Sequence, residues 1–186
     1  MDHQDFWHDK YPESISRTID TNIYPTILDL FKEACRKYAN KPAFSNMGRT
    51  ITFAEVDKYS ATFAAWIQQN TDLQAGDRIA VQMPNLLQYP IVVFGAMRAG
   101  LVIVNTNPLY TAREMEHQFR DAGCKALVTL ANFGHLVQEV LPKTGIRYVI
   151  ISELADMLPF PKRVIVNKVV KYVKKLVPAY HLPNAI

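Results

Sequence analysis

Cysteine is scarce in this sequence of 186 residues, which contains only two. Cys35 and Cys124 are far apart, and neither has a further Cys or His at metal-ligand spacing. These features exclude a disulfide framework and a zinc finger. Together with the lack of an N-terminal signal sequence they predict a reduced, cytoplasmic protein. Both cysteines are expected to be buried and to act as small apolar residues.

Glycine is also scarce, with seven residues, and the familiar catalytic and nucleotide-binding motifs are missing. The patterns G-x-x-x-x-G-K-[ST], G-x-G-x-x-G, H-E-x-x-H and G-x-S-x-G do not occur. His117 lies beside Glu116 on a predicted helix and is either a general base or, more simply, an exposed helix histidine. His3 and His8 are interpreted as solvated side chains rather than metal ligands. A catalytic constellation is therefore largely missing, and no metal site is expected in this chain.

A membrane-spanning segment is missing as well. The longest stretch without charge, Ile79 to Met97, has 19 residues and approaches the roughly 20 that a transmembrane helix needs. It contains three Gln or Asn residues, and Pro84 separates a strand-like half from a helix-like half. Polar groups would remain unsatisfied in lipid, which excludes a membrane span.

Acidic residues are absent from the last 30 positions, which hold six of the 21 Lys and Arg residues. The rest of the chain has 15 basic against 17 acidic residues, so the net charge of +4 originates in this tail. On a helical wheel, the apolar residues of the tail fall within a wedge of roughly 160°. They are Ile165, Val166, Val169, Val170, Tyr172, Val173, Leu176 and Val177, and the opposite side carries Asn167, Lys168, Lys171, Lys174 and Lys175.

This basic amphipathic segment, predicted over residues 157–186, has two interpretations. Its lysines suit the headgroups of an anionic membrane while the apolar side enters the acyl boundary. Alternatively, it is a surface helix packed on the core with its lysines in water. Nucleic acid is not expected as a partner, because aromatic residues are sparse here and no known binding module surrounds the lysines.

The remaining pattern predicts an α/β fold with one sizeable core. Helices are expected to begin at Thr26, Thr52 and Thr111, each followed three positions later by an acidic residue. Another helix is expected up to about Ala99, with Asn85 as its cap, unless proline delays its start. A further helix is expected at about 132–141.

Short strands alternate with these helices. Two β-rich runs around Asn46-Met47-Gly48 predict a hairpin, and "RIAVQM", "LVIVN", "KALVTL" and "RYVIIS" predict buried strands. Helical connections imply parallel pairing, so we expect a mostly parallel sheet with helices on both faces. An extended N-terminal arm is predicted over residues 1–23 and the α/β unit over residues 24–156.

One loop is a candidate binding site. Residues 105–111, "NTNPLYT", are expected to leave the carboxyl end of a central parallel strand and to lead into a helix, which is where open α/β sheets bind ligands. Their polar groups suit a phosphate, an amide or a carboxylate. The alternative is an ordinary polar connection closed by Asn and Pro turns.

Four stretches of the sequence together resemble a known family. They are "TFAEVDKYSATFAAWIQ", "GDRIAVQMPNLLQYP", "GAMRAGLVIVNTNPLYTAREMEHQFRDAGCKALVT" and "VVKYVKKLVPAYHLPNAI". They are similar to the beginning of the bacterial long-chain fatty-acid-CoA ligases, members of the adenylate-forming, AMP-binding superfamily. The similarity covers nearly the whole chain from about Phe6 onward.

The resemblance implies a two-step reaction. ATP and a fatty acid form an acyl-adenylate with loss of pyrophosphate, and the thiol of CoA then takes the acyl group, with Mg2+ as a further cofactor. Family members are much longer, and their phosphate loop and catalytic Lys have no match here. The resemblance therefore implies an N-terminal fragment that is inactive alone and acts as a scaffold with the remainder of the same polypeptide.

The resemblance also has consequences for the candidate sites. It places a loop with Asn105, Thr106, Asn107, Pro108 and Tyr110 near the CoA and acyl-transfer region. It further implies a protein peripheral at the inner face of the cytoplasmic membrane, which favours the membrane interpretation of the tail lysines.

A competing hypothesis is a stand-alone, non-catalytic α/β module that binds a partner protein or a membrane surface. The two hypotheses differ in whether the reading frame continues past Ile186 into a Thr/Gly-rich loop with a Lys. A truncated α/β domain also predicts an exposed sheet edge or apolar patch, with a homodimer as one consequence.

Overall fold

The computed structural model describes residues 10–16 and 18–186. The first nine residues, and with them His3 and His8, lie outside the described part of the chain. The described residues up to Ile23 form turns and bends with exposed side chains. The arm over residues 1–23 stays a prediction.

Six helices and six strands make up the described part of the chain. The helices are α1 (Ile27–Lys37), α2 (Phe53–Asn70), α3 (Gln88–Arg98), α4 (Ala112–Asp121), α5 (Gly134–Val140) and α6 (Lys162–Lys168). The strands are β1 (Pro42–Asn46), β2 (Arg49–Thr52), β3 (Arg78–Gln82), β4 (Val102–Asn105), β5 (Cys124–Leu130) and β6 (Tyr148–Ser152). A π-helical turn, Val169–Val173, continues α6. The predicted α/β fold is confirmed.

Most of the local sequence signals form as predicted. Thr26, Thr52 and Thr111 begin α1, α2 and α4, and each accepts a hydrogen bond from the main-chain N–H three residues later. Strands β1 and β2 pair antiparallel across Met47 and Gly48, whose φ angles are 50° and 79°. Two consecutive positive φ angles match the twist of a two-residue hairpin.

Helix α3 starts later than its expected cap. Asn85 was predicted to cap it, but the helix begins at Gln88 and Leu87 precedes it without a side-chain capping bond. The alternative of a late start is therefore confirmed. Pro90 is the third helical residue, where the main-chain N–H has no partner in the helix and its loss has little cost.

A parallel sheet in the order β4-β3-β5-β6 forms the centre of the fold. The side chains of β3 alternate between two clusters. Ile79 and Val81 pack with Val92 of α3, whereas Ala80 packs with Met115 of α4. Helices α2 and α3 thus cover one face and α4 and α5 the other, as predicted. A third cluster joins α1 and the hairpin to α2 and α3.

The position of β4 differs from the sequence expectation. This strand was predicted to be central, but in the described part of the chain it pairs only with β3. Val102 is 49% exposed, as an outer strand allows. The reason is topological: the connection through α4 crosses β3 and places β5 on the far side of that strand.

Candidate functional site

The strand order creates a switch point at the carboxyl ends of β3 and β5. The chain leaving β3 returns to the sheet on one side as β4, whereas the chain leaving β5 continues on the other side to β6. The helices in these two connections, α3 and α5, lie on opposite faces of the sheet. Diverging connections of this kind leave a crevice outside the strand ends, where open α/β sheets bind ligands.

A cleft of about 510 Å³ lies at this switch point. It is bounded by segments that follow β3, β4, β5 and β6 and by a segment near the C-terminus. The lining residues are Pro84, Pro108, Leu109, Tyr110, Leu130, Asn132, Phe133, His135, Leu136, Leu154, Lys175, Leu176 and Pro178. Nine of them are aliphatic residues, prolines or Phe, and four carry polar groups, namely Tyr110, Asn132, His135 and Lys175, so the cleft is mostly apolar with a few polar positions.

The loop predicted as a binding site contributes only part of its residues to the cleft. Pro108 and Tyr110 line it, as does Leu109, which is 86% exposed. Thr106 is buried beneath the loop. Asn105 is exposed at the end of β4.

The side chains of the two asparagines of the loop are hydrogen-bonded to the protein itself, one to helix α3 and one within the loop. Asn105 Oδ1 accepts a hydrogen bond from the hydroxyl of Tyr89 at 2.9 Å. Asn107 Oδ1 accepts one from the main-chain N–H of Leu109 at 3.0 Å. Both side chains therefore shape the loop, which presents mainly apolar groups to the cleft.

The helical-wheel prediction for the tail assumed a regular α-helix, which the tail does not form over its whole length. Its π-helical turn, Val169–Val173, is wider than an α-helical turn, so the angle between successive residues there differs from that of the α-helical wheel. The helix ends at Val173, and Lys175 has a φ of 53°. Asn167, predicted on the solvent side, is half-buried; it accepts a hydrogen bond from the N–H of Ala155 and donates one to Asp156 Oδ1.

The lysines of the tail fall into two groups. Lys168, Lys171, Lys174 and Lys175 are all exposed. Only Lys175, which lies after the helix, lines the cleft. The apolar side of this helix is exposed in part: Val173 is 70% exposed, whereas Val166 and Val170 are half-buried.

The segment after the tail helix folds back over α5 and β6. We call residues 177–186 the C-terminal strap. Asn132 Nδ2, in the cleft, donates a 2.8 Å hydrogen bond to the carbonyl of Leu176, just before the strap. At its end, Ile186 makes two main-chain hydrogen bonds with β6, at 2.8 and 3.0 Å. The strap therefore holds one wall of the cleft in place.

Neither cysteine has a reactive thiolate. Burial raises the pKa of the Cys124 thiol to about 11. The pKa of Cys35 is raised by burial and then by the charge of Asp57. Both thiols are protonated at neutral pH, which confirms that they act as small apolar residues. His117 lies on an exposed part of α4.

Within residues 10–16 and 18–186, no group of three or more His, Cys, Asp or Glu side chains is arranged to hold a metal ion. No helix in the same ranges is both long and apolar enough to cross a membrane.

Several cleft residues were not predicted from the sequence. Asn132 and His135 follow β5, and Lys175 was assigned to a membrane surface. Because the sequence does not give the strand order, it does not show that the ends of β3 and β5 meet. The only local signal is that Asn132 and His135 come directly after a buried strand.

A parallel sheet with helices on both faces and a crevice at its switch point defines an open α/β protein, and such folds bind ligands at that position. The family model described as AMP-binding enzyme matches residues 31–181. This match covers most of the sequence, and the chain belongs to the AMP-binding enzyme family.

Curated relatives carry the name long-chain-fatty-acid-CoA ligase. The chain is 47% identical over 180 residues to the ligase of Escherichia coli O6:H1, a match that covers 97% of this chain and 32% of the relative. It is 32% identical over 165 residues to the ligase of Bacillus subtilis, covering 89% of this chain and 29% of that protein. The chain thus spans about a third of the length of the curated relatives it matches.

Solved structures support the fold. A long-chain-fatty-acid-CoA ligase from Archaeoglobus fulgidus matches with a TM-score of 0.62 and 24% identity, covering 67% of this chain and 26% of that one. An anthranilate CoA ligase in complex with anthranoyl-AMP matches with a TM-score of 0.67 and 18% identity, covering 72% and 26%. At these identities the likeness concerns the fold alone.

Proposed function

We propose that this chain is the N-terminal part of a long-chain fatty-acid-CoA ligase. The complete enzyme converts ATP, a fatty acid and CoA to acyl-CoA, AMP and pyrophosphate through an acyl-adenylate. The observation that carries the proposal is the 47% identity over 97% of the chain to a protein of that name, of which the chain spans 32%.

The chain by itself acts as scaffold and as one wall of the substrate site. ATP with Mg2+ does not fit the residues present, because the sequence has no Gly-rich phosphate loop and the cleft is mostly apolar. We therefore expect no ATP-pyrophosphate exchange by the 186-residue chain, and measurable exchange would overturn this part of the proposal. Sequencing the coding region tests the other part: a frame that ends at Ile186, with no Thr/Gly-rich loop and Lys, contradicts a longer ligase.

The cleft at the switch point fits coenzyme A. Its apolar wall, with Leu109, Tyr110 and Phe133, suits the extended pantetheine arm, and Lys175 and His135 are the groups that would meet phosphate. CoA supplies the thiol that accepts the acyl group, while the chain binds and orients it. This places Asn105, Thr106 and Asn107 behind the binding surface, as residues that shape the loop. Of the five loop residues predicted near CoA, Pro108 and Tyr110 line the cleft.

Titration calorimetry with CoA tests the cleft. Lys175→Gln should weaken binding, because one charge facing the phosphates is lost, whereas Lys174→Gln changes an exposed neighbour outside the cleft lining and should not. Equal effects of the two substitutions would contradict a phosphate contact at Lys175.

We further propose that the tail helix brings the enzyme to the inner face of the cytoplasmic membrane. The support is the exposure of both sides of the helix: Ile165 and Val173 are 58% and 70% exposed, and Lys168, Lys171 and Lys174 are exposed as well. Apolar residues beside exposed lysines suit an anionic interface.

Sedimentation with vesicles that contain phosphatidylglycerol tests this localisation. Replacing Lys168, Lys171, Lys174 and Lys175 by Glu should abolish co-sedimentation. The same charge change at four exposed lysines elsewhere should leave a larger fraction of the protein bound to the vesicles than the tail variant shows. Those control positions are Lys32, Lys37, Lys41 and Lys58. If the tail variant sediments like the unchanged protein, the membrane proposal is wrong.

A further inference from the structure

Two side chains hold the end of β4 from opposite faces of the sheet. Tyr89 of α3 donates its hydroxyl to Asn105 Oδ1 at 2.9 Å. Gln118 of α4 donates from Nε2 to the main-chain carbonyl of the same asparagine at 3.0 Å. Because α3 and α4 cover different faces, Asn105 is fixed on both sides.

The orientation of the Gln118 amide follows from this contact. Its Oε1 is buried and has no hydrogen-bond partner among the described residues. Leaving a buried acceptor unpaired is unfavourable. The opposite orientation would bring Oε1 against the carbonyl oxygen of Asn105, so the bond to that carbonyl is what holds the amide as it is.

The rest of the loop is bonded within itself. The N–H groups of Leu109 and Tyr110 bond to the side chain and the carbonyl of Asn107, at 3.0 and 3.1 Å. The capping box of Thr111 then begins α4. The position of the loop over the cleft is therefore set where it joins the sheet, at Asn105 and at Thr106, whose N–H donates to the carbonyl of Val81 at 3.0 Å.

We propose that Tyr89 and Gln118 are positioning residues for coenzyme binding: they clamp Asn105 so that the loop presents Pro108 and Tyr110 to the cleft in one arrangement. This inference rests on the proposed function of the cleft. In the described part of the chain β4 has a ladder partner on one side only, so these two side-chain hydrogen bonds add to the single ladder in holding its end.

The clamp is tested with Tyr89→Phe and Gln118→Met in the 186-residue chain. Each substitution keeps the size of the side chain and removes one donor. We expect faster hydrogen exchange at the Thr106 amide and CoA binding weaker by about five-fold, the factor that the loss of one ordinary hydrogen bond gives. The melting temperature should change little, which separates positioning from a merely structural role.

Matched controls exist at the other end of the sheet. Tyr148 donates its hydroxyl to Asp72 at 3.0 Å, and Gln74 Nε2 donates to the carbonyl of Asp72 at 3.1 Å. Tyr148→Phe and Gln74→Met remove the same kinds of donated hydrogen bond, and Tyr148→Phe also removes the one that its hydroxyl accepts from the Asp72 N–H. Both substitutions should leave the exchange of the Thr106 amide and CoA binding unchanged.

The outcomes distinguish this inference from the proposed function. Unchanged exchange at Thr106 in both clamp variants overturns the clamp, and so does faster exchange with unchanged affinity for CoA. If the unsubstituted chain does not bind CoA, the proposed function of the cleft is wrong. In that case Tyr89 and Gln118 are not positioning residues for CoA binding either. Exchange at Thr106 still decides whether Tyr89 and Gln118 hold the loop.

Discussion

The ring of Tyr180 lies directly against the backbone of Gly134. A Cβ atom placed on Gly134 would come within 2.4 Å of the ring atoms Cδ1 and Cε1, closer than any side chain tolerates. Gly134 is the first residue of α5, and Tyr180 belongs to the C-terminal strap. The absence of a side chain at this position is what allows the strap to pack on α5 beside the cleft.

Gly134→Ala should therefore destabilise the protein. Within a helix, Gly to Ala normally stabilises by about 1 kcal/mol, but overpacking against the Tyr180 ring should reverse the sign, with a loss of about 1–3 kcal/mol. Urea unfolding measures the difference. Gly145→Ala is the control, because its Cβ would meet only the Cys124 carbonyl at 3.7 Å. A Gly134→Ala protein as stable as the unsubstituted one would show that the strap does not need this contact.

A buried polar pair joins the central strands just below the cleft. Thr129 Oγ1 donates to Gln82 Oε1 at 3.0 Å, and neither residue is exposed to solvent. Thr129→Val leaves the Gln82 oxygen buried without its donor and should cost about 1–3 kcal/mol. The double variant Thr129→Val/Gln82→Met replaces both polar partners and should recover part of this loss. If the loss of unfolding free energy in the double variant equals the sum of the losses in Thr129→Val and Gln82→Met, the two side chains do not stabilise each other and the prediction is wrong.

The carboxylate of Asp77 should contribute to the dependence of stability on pH. The main-chain N–H of Gln74 and the ammonium of Lys125, at 3.0 and 2.6 Å, hold the pKa of Asp77 below its ordinary value. A lowered folded-state pKa means stability that is present above the unfolded-state value of about 3.9 and is lost as the pH falls below it. Asp77→Asn should be less stable than the unsubstituted protein at pH 7. The difference in their free energies of unfolding should become smaller below about pH 4.

Urea unfolding at pH 7 and at pH 3 measures this difference in the free energy of unfolding. Asp121→Asn, which changes an exposed carboxylate at the end of α4, is the control. A difference between Asp77→Asn and the unsubstituted protein that is the same at both pH values would contradict the assignment.

Asn167 should determine how firmly α6 is held. Its side chain makes two hydrogen bonds to the segment before the helix, to Ala155 and Asp156. Asn167→Ala removes both, and a helix of this length is not stable without such contacts. We expect faster tryptic cleavage after Arg163 and Lys168.

Asn70→Ala is the control for this experiment, since Asn70 bonds only within α2, to the carbonyl of Trp66. Equal cleavage rates in the Asn167 variant and the unsubstituted protein would show that α6 is held by other contacts.

The parts of the fold that the sequence predicted correctly are local. A Thr followed by an acid three positions later specifies a helix start because both hydrogen bonds form within one turn, as at Thr52 and Thr111. The hairpin at Met47 and Gly48 is equally local. The prediction for Asn85 was wrong. This residue has the side chain of a helix cap, but helix α3 begins at Gln88, closer to Pro90, and has no side-chain cap.

The candidate site was predicted only in part for the same reason. The loop after β4 was identified from its own residues, and Pro108 and Tyr110 do line the cleft. The opposite walls, with Asn132 and Lys175, come from distant parts of the chain. A basic helix does form in the tail, but a π-helical turn changes the angle per residue within it, and the sequence pattern does not reveal such a turn.

The sequence by itself determined the elements of this protein, their alternation and its family resemblance, because capping, turn formation and apolar periodicity act over a few residues. Only the tertiary structure decided that β4 is the outer strand of the described sheet, that the ends of β3 and β5 form the switch point and that Lys175, Leu176 and Pro178 line the cleft. These features depend on which strand lies beside which, and that order is set by the packing of two helical layers on one sheet rather than by any local signal.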